Sequence, residues 1–265
     1  MLTKILAHKR TEIAGLDEAA LRRAALDTPR PRPFLPPGPR DTVGLIAEIK
    51  RASPSRGLLA PHLNLEAIAR LYADNGASAI SVLTDSEFFL GQLEYLAALR
   101  QATPALPPLL RKDFIINRAQ LYQTRAAGAD AVLLIAAALT DDAELADLHA
   151  LALELGLTPL VEVHTEDELM RVLHLPNLRL VGINNRDLGT FNIALTTTER
   201  LRPLVPAAIP VVAESGIFTA ADVARLAQVD VAAVLVGEAL VTAPDIAAKV
   251  RELSGVATCT SKSAA

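Results

Sequence analysis

The stretch that decides the fold is NRAQLYQTRAAGADAVLLIAAALTDDAELADLHALALELGLTPLVEVH, residues 117–164. It contains two short apolar runs, 130–137 and 158–164, and each follows a longer amphipathic segment, 117–128 and 141–156. The amphipathic segments carry apolar residues at i, i+3, i+4 and i+7, which predicts surface helices. The short runs are apolar on both faces, which is typical of parallel strands covered by helices.

The same alternation continues in both directions and gives eight apolar runs: VGLIAEIK (43–50), SAISVLT (78–84), PLLRKDF (108–114), DAVLLIAA (130–137), TPLVEVH (158–164), RLVGINN (179–185), PVVAESG (210–216) and AAVLVGE (232–238). Eight strand–helix units over about 210 residues predict an α/β fold of the (β/α)8 TIM-barrel type. An open doubly wound sheet is the alternative. It usually carries a G-x-G-x-x-G turn after its first strand, and the residues after 43–50 lack one.

The chain before the barrel has a different pattern. Residues 1–27 show helical spacing that breaks near Gly15 and restarts at Asp17, a plausible cap. Residues 29–39 read PRPRPFLPPGP, which predicts an extended connector because Pro lacks a backbone donor. We therefore expect an N-terminal helical extension with its Pro-rich connector over 1–40, a catalytic barrel over 41–253 and a flexible tail over 254–265.

Composition excludes several classes of protein. The 265 residues are 51% hydrophobic with a net charge of −4, so neither disorder nor attraction to nucleic acid or an anionic membrane is expected. The single Cys, Cys259, cannot form an internal disulfide, and no window approaches the ~18 apolar residues of a membrane span. We expect a soluble, cytoplasmic monomer that binds a small molecule and neither nucleic acid nor a membrane.

Polar residues interrupt or close five of the predicted strands. In a (β/α)8 barrel the active site lies at the C-terminal ends of the strands, where these residues fall. A buried ion pair that fixes register would explain any one of them. Five strands that deliver polar groups to one rim favour an active site, because an unpaired buried charge is costly. The residues are Glu48, Lys50, Lys112, Glu162, Asn184, Arg186, Glu214 and Ser215.

Two lysines stand out within this set. The chain has 26 basic residues, and Lys50 and Lys112 are its only lysines between residues 10 and 248. Lysine, unlike arginine, acts as an acid, base or nucleophile near neutral pH when burial or a second cation lowers its pKa. We therefore take Lys50 and Lys112 as the leading catalytic candidates, although a general preference for Arg would also leave few lysines.

The loops after the last two strands suggest a phosphate site. Gly216 and Gly237 allow backbone N–H groups to approach an anion, and Glu238 can begin a short helix. Ser53, in the first loop, adds a hydroxyl. Each glycine alone also fits an ordinary turn.

Other features near the strand ends are less specific. Phe88, Phe89 and Phe114 follow the second and third strands and suggest an apolar wall for a flat ligand, although loop packing explains any one of them. His164 follows Glu162 and is expected to support the site rather than to act in it. The sequence shows no Cys/His spacing for zinc and no G-x-x-x-x-G-K-[ST] loop, so we expect neither a metal nor a cofactor.

Seven segments, in the same order along the chain, resemble the indole-3-glycerol phosphate synthase family. They are AEIKRASPSRG (47–57), LLRKDFI (109–115), AGADAVLLI (127–135), LVEVH (160–164), VGINNRDLGTF (181–191), VAESGI (212–217) and VLVGEAL (234–240). The resemblance implies a carboxy-lyase that converts 1-(2-carboxyphenylamino)-1-deoxyribulose 5-phosphate to indole-3-glycerol phosphate, with loss of CO2 and water and without a metal or cofactor.

The resemblance also implies a role for each candidate residue. Lys112 would protonate the ribulose carbonyl, Lys50 would hold the substrate carboxylate and assist dehydration, and Glu162 would act as base or acid in later proton transfers. Three further sets are implied: Glu48, Asn184, Arg186, Glu214 and Ser215 would orient the substrate; Ser53, Gly216, Gly237 and Glu238 would bind its phosphate; and Phe89 and Phe114 would contact its ring. The N-terminal helices would pack on the barrel near the substrate.

Three rival interpretations remain open at this stage. A Schiff-base aldolase would use Lys112 or Lys50 as a nucleophile. A phosphoribosylanthranilate isomerase would need a Cys and an Asp as its acid–base pair, whereas the only Cys here is Cys259. A barrel that only binds a sugar phosphate would need no turnover at all.

Overall fold

The structure is a computed structural model that describes residues 1–35, 41–53, 57–59 and 64–258. Some predictions lie outside these residues. They concern the end of the connector at 36–40, the end of the tail with Cys259, and the side chain of Ser53.

Eight parallel strands form a closed barrel, which confirms the prediction from the apolar runs. Each strand pairs with the next along the chain, and the last pairs with the first, for example Gly44 opposite Ala233. The strands are β1 (Gly44–Ile49), β2 (Ala79–Leu83), β3 (Leu109–Lys112), β4 (Ala131–Ile135), β5 (Thr158–Val163), β6 (Val181–Asn184), β7 (Val211–Glu214) and β8 (Ala233–Val236). A short antiparallel pair, Ala52–Ser53 with Gly57–Leu58, follows β1.

Twelve α-helices lie within the described residues. They are α1 (Leu2–Ile13), α2 (Glu18–Asp27), α3 (Leu65–Asp74), α4 (Ser86–Phe89), α5 (Glu94–Ala102), α6 (Arg118–Ala126), α7 (Asp142–Glu154), α8 (Glu166–Val172), α9 (Thr196–Leu201), α10 (Ala220–Ala227), α11 (Glu238–Val241) and α12 (Ile246–Ser254). Many begin at capping residues: the side chains of Asn64, Asn117 and Asp141 each accept a backbone N–H from the first turn. These bonds satisfy donors that a helix start leaves unpaired, and they fix where each helix begins.

Alternation along the strands separates two kinds of core. Inward-facing residues such as Ile46, Leu110 and Leu160 fill the barrel, and their neighbours on the other face pack beneath the helices. Several strands begin with a small residue, such as Ala79 or Ala131, and these alanines belong to the same buried cluster as Phe34 and Leu35. The interior of the barrel is therefore a packed core, and a cleft opens beyond the C-terminal ends of the strands.

The N-terminal extension follows the barrel from one end to the other. Helix α1 lies at the C-terminal ends of the strands, where Ile5 is buried, and α2 packs against α6. The connector then reaches the opposite end, because the backbone N–H of Arg32 donates to Oδ1 of Asp130, the residue before β4, at 2.7 Å. Phe34 and Leu35 join the interior core there. The division of the chain at residue 40 remains a prediction.

The first residues of the predicted tail are hydrogen-bonded to the chain before β1. The backbone N–H of Val43 donates to the carbonyl of Val256 at 2.9 Å, and that of Thr258 donates to the carbonyl of Asp41 at 3.0 Å. Residues 256–258 therefore pair with the segment that leads into β1.

Candidate active site

The predicted polar residues come together at the mouth of the barrel. The strand register places Asn184 opposite Glu214 and Lys112 opposite Leu83, at the last positions of their strands. A cleft with about 1040 Å³ of space, its open mouth included, lies above them. It is lined by Met1, Leu2, Ile5, Glu48, Lys50, Leu83, Asp85, Phe89, Lys112, Asp113, Phe114, Leu133, Ile135, Glu162, Asn184, Arg186, Leu188, Phe191, Ser215 and Glu238.

Lys112 lies at the centre of a group of carboxylates. Its Nζ donates to Oε2 of Glu162 at 3.3 Å and lies 3.4 Å from Oε2 of Glu214. Its side chain is largely buried, and both glutamates are more deeply buried still. The ammonium group is therefore held by carboxylates from two other strands, β5 and β7.

The pKa of Lys112 shifts in the direction opposite to the one expected from the sequence. Burial lowers this pKa, as the sequence argument assumed, but the charges of Glu162, Glu214 and Glu48 outweigh burial and raise it above its ordinary value. Lys112 is consequently a cation at neutral pH. It is suited to donate a proton to an oxygen that becomes negative, and it is poorly suited to act as a neutral nucleophile.

The two glutamates around Lys112 differ in protonation. Burial raises the pKa of Glu162, but Lys112 and His164 outweigh burial and hold it below its usual range. Burial and the neighbouring charge of Glu162 raise the pKa of Glu214 to about 8, because the opposite effect of Lys112 only partly offsets burial. At neutral pH Glu162 is therefore a carboxylate and Glu214 is mostly a neutral acid, a division of roles that acid–base catalysis uses.

The second lysine forms its own pair. Nζ of Lys50 lies 2.5 Å from Oε1 of Glu48, two residues earlier on the same face of β1. Two glycines make room for the site's carboxylates: a Cβ on Gly237 would lie 2.5 Å from Oε1 of Glu48, and one on Gly182 would lie 2.5 Å from Oε1 of Glu214. Since real Cβ atoms do not approach so closely, a larger residue at either position would displace the carboxylate.

One side of the cleft is apolar. The rings of Phe89 and Phe114 lie 6.1 Å apart and tilted, and Ile5 of α1 lies on the same cleft. Phe88 does not line it, because its ring packs edge-on against His8 at 5.8 Å. Of the three aromatic candidates, two therefore contribute to the wall.

The opposite end of the cleft is polar and continues into a smaller cavity. Lys50, Lys112, Arg186, Ser215 and Glu238 line both spaces. The smaller cavity is lined further by the loops after β7 and β8, including Gly216 and Gly237.

Backbone geometry at this polar end suits an anion. Ser215 and Gly216 have positive φ angles of 66° and 78°, so consecutive amides turn into a concave loop. Helix α11 begins at Glu238, as expected, directly after Gly237. The side chain of Asn184 is turned to the backbone, since its Oδ1 accepts the N–H of Arg186 at 3.0 Å.

A second charged cluster, beside the cleft, was not predicted from the sequence. Lys9 of α1 is completely buried, with its Nζ 3.1 Å from Oδ2 of Asp85 and 3.0 Å from Oδ1 of Asp113. Arg111 binds the other oxygen of Asp113 at 2.9 Å. Lys9 is one of the few lysines of the chain. It lies far from Asp85 and Asp113 in the sequence, and no sequence pattern indicated that they are in contact.

Within the described residues, no group of three or more His, Cys, Asp or Glu side chains is arranged to hold a metal ion. No helix in that part of the chain is long and apolar enough to cross a membrane.

A closed (β/α)8 barrel with a cluster of lysines and glutamates at its mouth has the architecture of a (β/α)8-barrel enzyme, in which the active site lies at this end of the strands. Comparison with known proteins makes the assignment specific. The family model described as "Indole-3-glycerol phosphate synthase" matches residues 2–253, and the chain belongs to this family. Its members are carboxy-lyases of tryptophan biosynthesis.

Two relatives illustrate the similarity. The chain is 52% identical over 271 residues to "Indole-3-glycerol phosphate synthase" of Roseiflexus castenholzii, which covers 96% of this chain and 98% of the relative. It is 50% identical over 259 residues to the protein of the same description from Desulforamulus reducens, covering 96% of each. Among solved structures, 3-hexulose-6-phosphate synthase from Salmonella typhimurium superposes with a TM-score of 0.64 at 17% identity, over 81% of this chain and 98% of that one. This last likeness concerns the fold alone.

Proposed function

We propose that this chain converts 1-(2-carboxyphenylamino)-1-deoxyribulose 5-phosphate to indole-3-glycerol phosphate with Lys112 as the general acid. The observation that carries the proposal is the position of the Lys112 ammonium, within 3.4 Å of Glu162 and Glu214 at the floor of the cleft. Family membership supports the overall reaction.

The two ends of the cleft match the two ends of this substrate. The anthranilate ring packs against Phe89 and Phe114, and the phosphate binds at the concave loop of Ser215 and Gly216 with Gly237 and Glu238. Arg186 lines both spaces and adds a positive charge there. The ketone, which lies between ring and phosphate, is then placed at Lys112.

Ring closure comes first. The ring carbon that bears the carboxylate attacks the ketone, a C–C bond forms, and the carbonyl oxygen takes the proton from Lys112. An alkoxide is a stronger base than an amine, so this transfer remains favourable even though the surrounding glutamates raise the pKa of Lys112. The substrate carboxylate pairs with Lys50, and it leaves as CO2 when its bonding electrons return to the ring.

Dehydration completes the indole. The hydroxyl formed from the ketone leaves as water with a proton from an acid, and a base removes the proton from the carbon next to the ring nitrogen. Glu162, which is ionised at neutral pH, serves as the base. Lys50 assists the departure of water, and Glu48, Asn184 and Glu214 hold the reacting groups in place.

The ionisation of Lys112 argues against the Schiff-base alternative. A lysine that forms a Schiff base must lose its proton, whereas the glutamates around Lys112 hold the proton on its nitrogen. Trapping of a Lys112 adduct with borohydride would contradict the general-acid role.

The decisive experiment is turnover by Lys112→Met. Product formation is followed by indole fluorescence, which is clean because the chain contains no Trp. We expect turnover to fall by about 10²–10⁴-fold, the usual contribution of a general acid, while substrate still binds by calorimetry. Lys4→Met, at an exposed position of α1, is the matched control. Undiminished turnover in Lys112→Met would remove the assignment.

We also propose that the protein acts as a monomer in the cytoplasm. The single Cys, which cannot form an internal disulfide, supports a reducing compartment. Light scattering coupled to size-exclusion chromatography tests the first point, since a dimer would double the 28.1 kDa mass.

A further inference from the structure

His164 lies directly beyond β5, with its ring buried between two glutamates. Its Nε2 lies 3.3 Å from Oε1 of Glu162, and its Nδ1 lies 3.2 Å from Oε2 of Glu168 on α8. The backbone N–H of His164 donates to that same oxygen of Glu168 at 2.7 Å. Only 4% of the side chain is exposed, so water screens these charge interactions very little.

This geometry determines the protonation of the ring. A neutral imidazole carries one N–H and one lone pair. Here Nδ1 is hydrogen-bonded to Glu168, and Nε2, which makes no hydrogen bond within the described residues, lies 3.3 Å from Oε1 of Glu162, so a neutral ring would place a lone pair beside a negative oxygen. The doubly protonated imidazolium avoids that repulsion and neutralises part of the buried charge.

Charged groups reach the ring from three directions. Glu162 comes from β5, Glu168 from α8, and Asp187 acts from the loop after β6. Lys112, from β3, contacts the other oxygen of Glu162, Oε2, through its Nζ. Burial lowers the pKa of His164, but Glu162 and Glu168 outweigh burial and raise it to about 10.

The two glutamates at Lys112 differ because of this ring. Glu162 has a cationic neighbour on each oxygen, His164 at 3.3 Å and Lys112 at 3.3 Å. Glu214 has Lys112 at 3.4 Å, and neither of its oxygens makes a hydrogen bond within the described part of the chain. A proton taken up by this pair of acids therefore goes to Glu214.

We propose that His164 is a positioning residue: as an imidazolium anchored by Glu168, it keeps Glu162 ionised, turns it toward Lys112 and leaves the proton of the acid pair on Glu214. The inference rests on the proposed function for the role of Glu162 as base. It adds a function for His164 that the strand-end pattern alone assigned only to general support.

The first test does not depend on turnover. Ring ¹⁵N chemical shifts of the five histidines are recorded on the free protein, and the His164→Asn spectrum assigns the signal. We expect His164 to be doubly protonated at pH 7.5, and its pKa to fall by at least about one unit in Glu168→Gln. A neutral His164 ring at pH 7.5 would overturn the proposal even if no variant folded.

The second test uses the pH profile of kcat. In His164→Asn we expect kcat to fall about 10–100-fold with KM within about threefold, because a supporting hydrogen-bond partner is lost rather than a substrate contact. The acidic limb moves up by at least about one pH unit, as Glu162 then takes up a proton more readily. His174→Asn, an exposed histidine after α8, is the matched control.

Two outcomes separate this inference from the proposed function. A His164→Asn profile that superposes on that of His174→Asn, with Glu162→Gln inactive, would overturn the role of His164 and leave the base intact. Full turnover in Glu162→Gln would overturn the assignment of the base, and the role of His164 with it.

Discussion

Nζ of Lys9, in the first helix of the chain, lies 3.0 Å from Oδ1 of Asp113, the residue that follows Lys112. The same ammonium contacts Asp85 at 3.1 Å and Glu12 at 2.8 Å. Asp113 is held on its other oxygen by Thr84, whose hydroxyl donates at 2.6 Å. One buried cation thus joins α1 to the ends of β2 and β3, next to the proposed general acid.

Replacing Lys9 should test this connection. Lys9→Met keeps the volume of the side chain but leaves Asp85 and Asp113 buried beside fewer positive charges. We expect the free energy of unfolding to fall by about 3–5 kcal/mol, the usual cost of breaking a buried pair, as measured by urea denaturation. Lys4→Met is exposed on the same helix and should change stability by less than about 0.5 kcal/mol. Equal stability of the two variants would show that the buried cluster contributes nothing.

The raised pKa of Glu214 predicts a pH dependence of stability. Burial, only partly offset by Lys112 and reinforced by Glu162, raises the pKa to about 8 from 4.5. Between these values the folded protein holds a proton that the unfolded chain releases, so this group's contribution falls as pH rises from 4.5 to 8. In Glu214→Gln the decline should become smaller, as seen in urea midpoints at pH 5 and pH 9, and the part that remains belongs to His164, whose pKa is also raised. Glu66→Gln, at an exposed position, should retain the wild-type decline.

His149 predicts the opposite dependence in acid. Its ring is buried on α7, and burial together with the charge of Arg179 lowers its pKa from 6.5 to about 4. Between pH 6.5 and pH 4 the histidine is protonated in the unfolded chain but stays neutral in the folded protein. Stability is therefore complete above that pH and is lost toward pH 4, by on the order of 3 kcal/mol.

His149→Leu removes this titration and should flatten the stability curve between pH 6.5 and pH 4. The comparison is with His174→Leu, where the exposed ring should leave the slope unchanged. The same slope in both variants would contradict the assignment of acid sensitivity to His149.

The glycines beside the carboxylates predict that substitution lowers both activity and stability. A Cβ on Gly237 or Gly182 would lie 2.5 Å from Glu48 or Glu214, so alanine must displace the carboxylate. Because a misplacement of about 1 Å costs up to ~10²-fold in rate, we expect turnover in Gly237→Ala to fall at least about tenfold. Overpacking should cost about 1–3 kcal/mol of stability.

Gly15→Ala is the control for this pair, since a Cβ there meets nothing within 4 Å. Wild-type turnover in both Gly237→Ala and Gly182→Ala would show that the carboxylates do not need their present positions.

The pattern of the sequence alone predicted the barrel and the end of it that carries the polar groups. Short runs that are apolar on both faces and helices with a 3.6-residue period are local properties of the sequence, so residues 158–164 predict β5 and residues 141–156 predict α7 without knowledge of the fold. Because parallel strands share one orientation, the sequence also predicted that Lys50, Lys112, Glu162 and Glu214 lie together at one end of the barrel.

Only the tertiary structure decided what those groups do to one another. From the sequence we expected a lowered pKa for Lys112, because burial alone lowers the pKa of an amine. In the structure carboxylates surround this amine, and their charges raise its pKa instead. Likewise, the contact of Lys9 with Asp113 joins residues far apart along the chain. Electrostatic energy depends on distances of a few ångströms between side chains, and those distances exist only once the chain is folded.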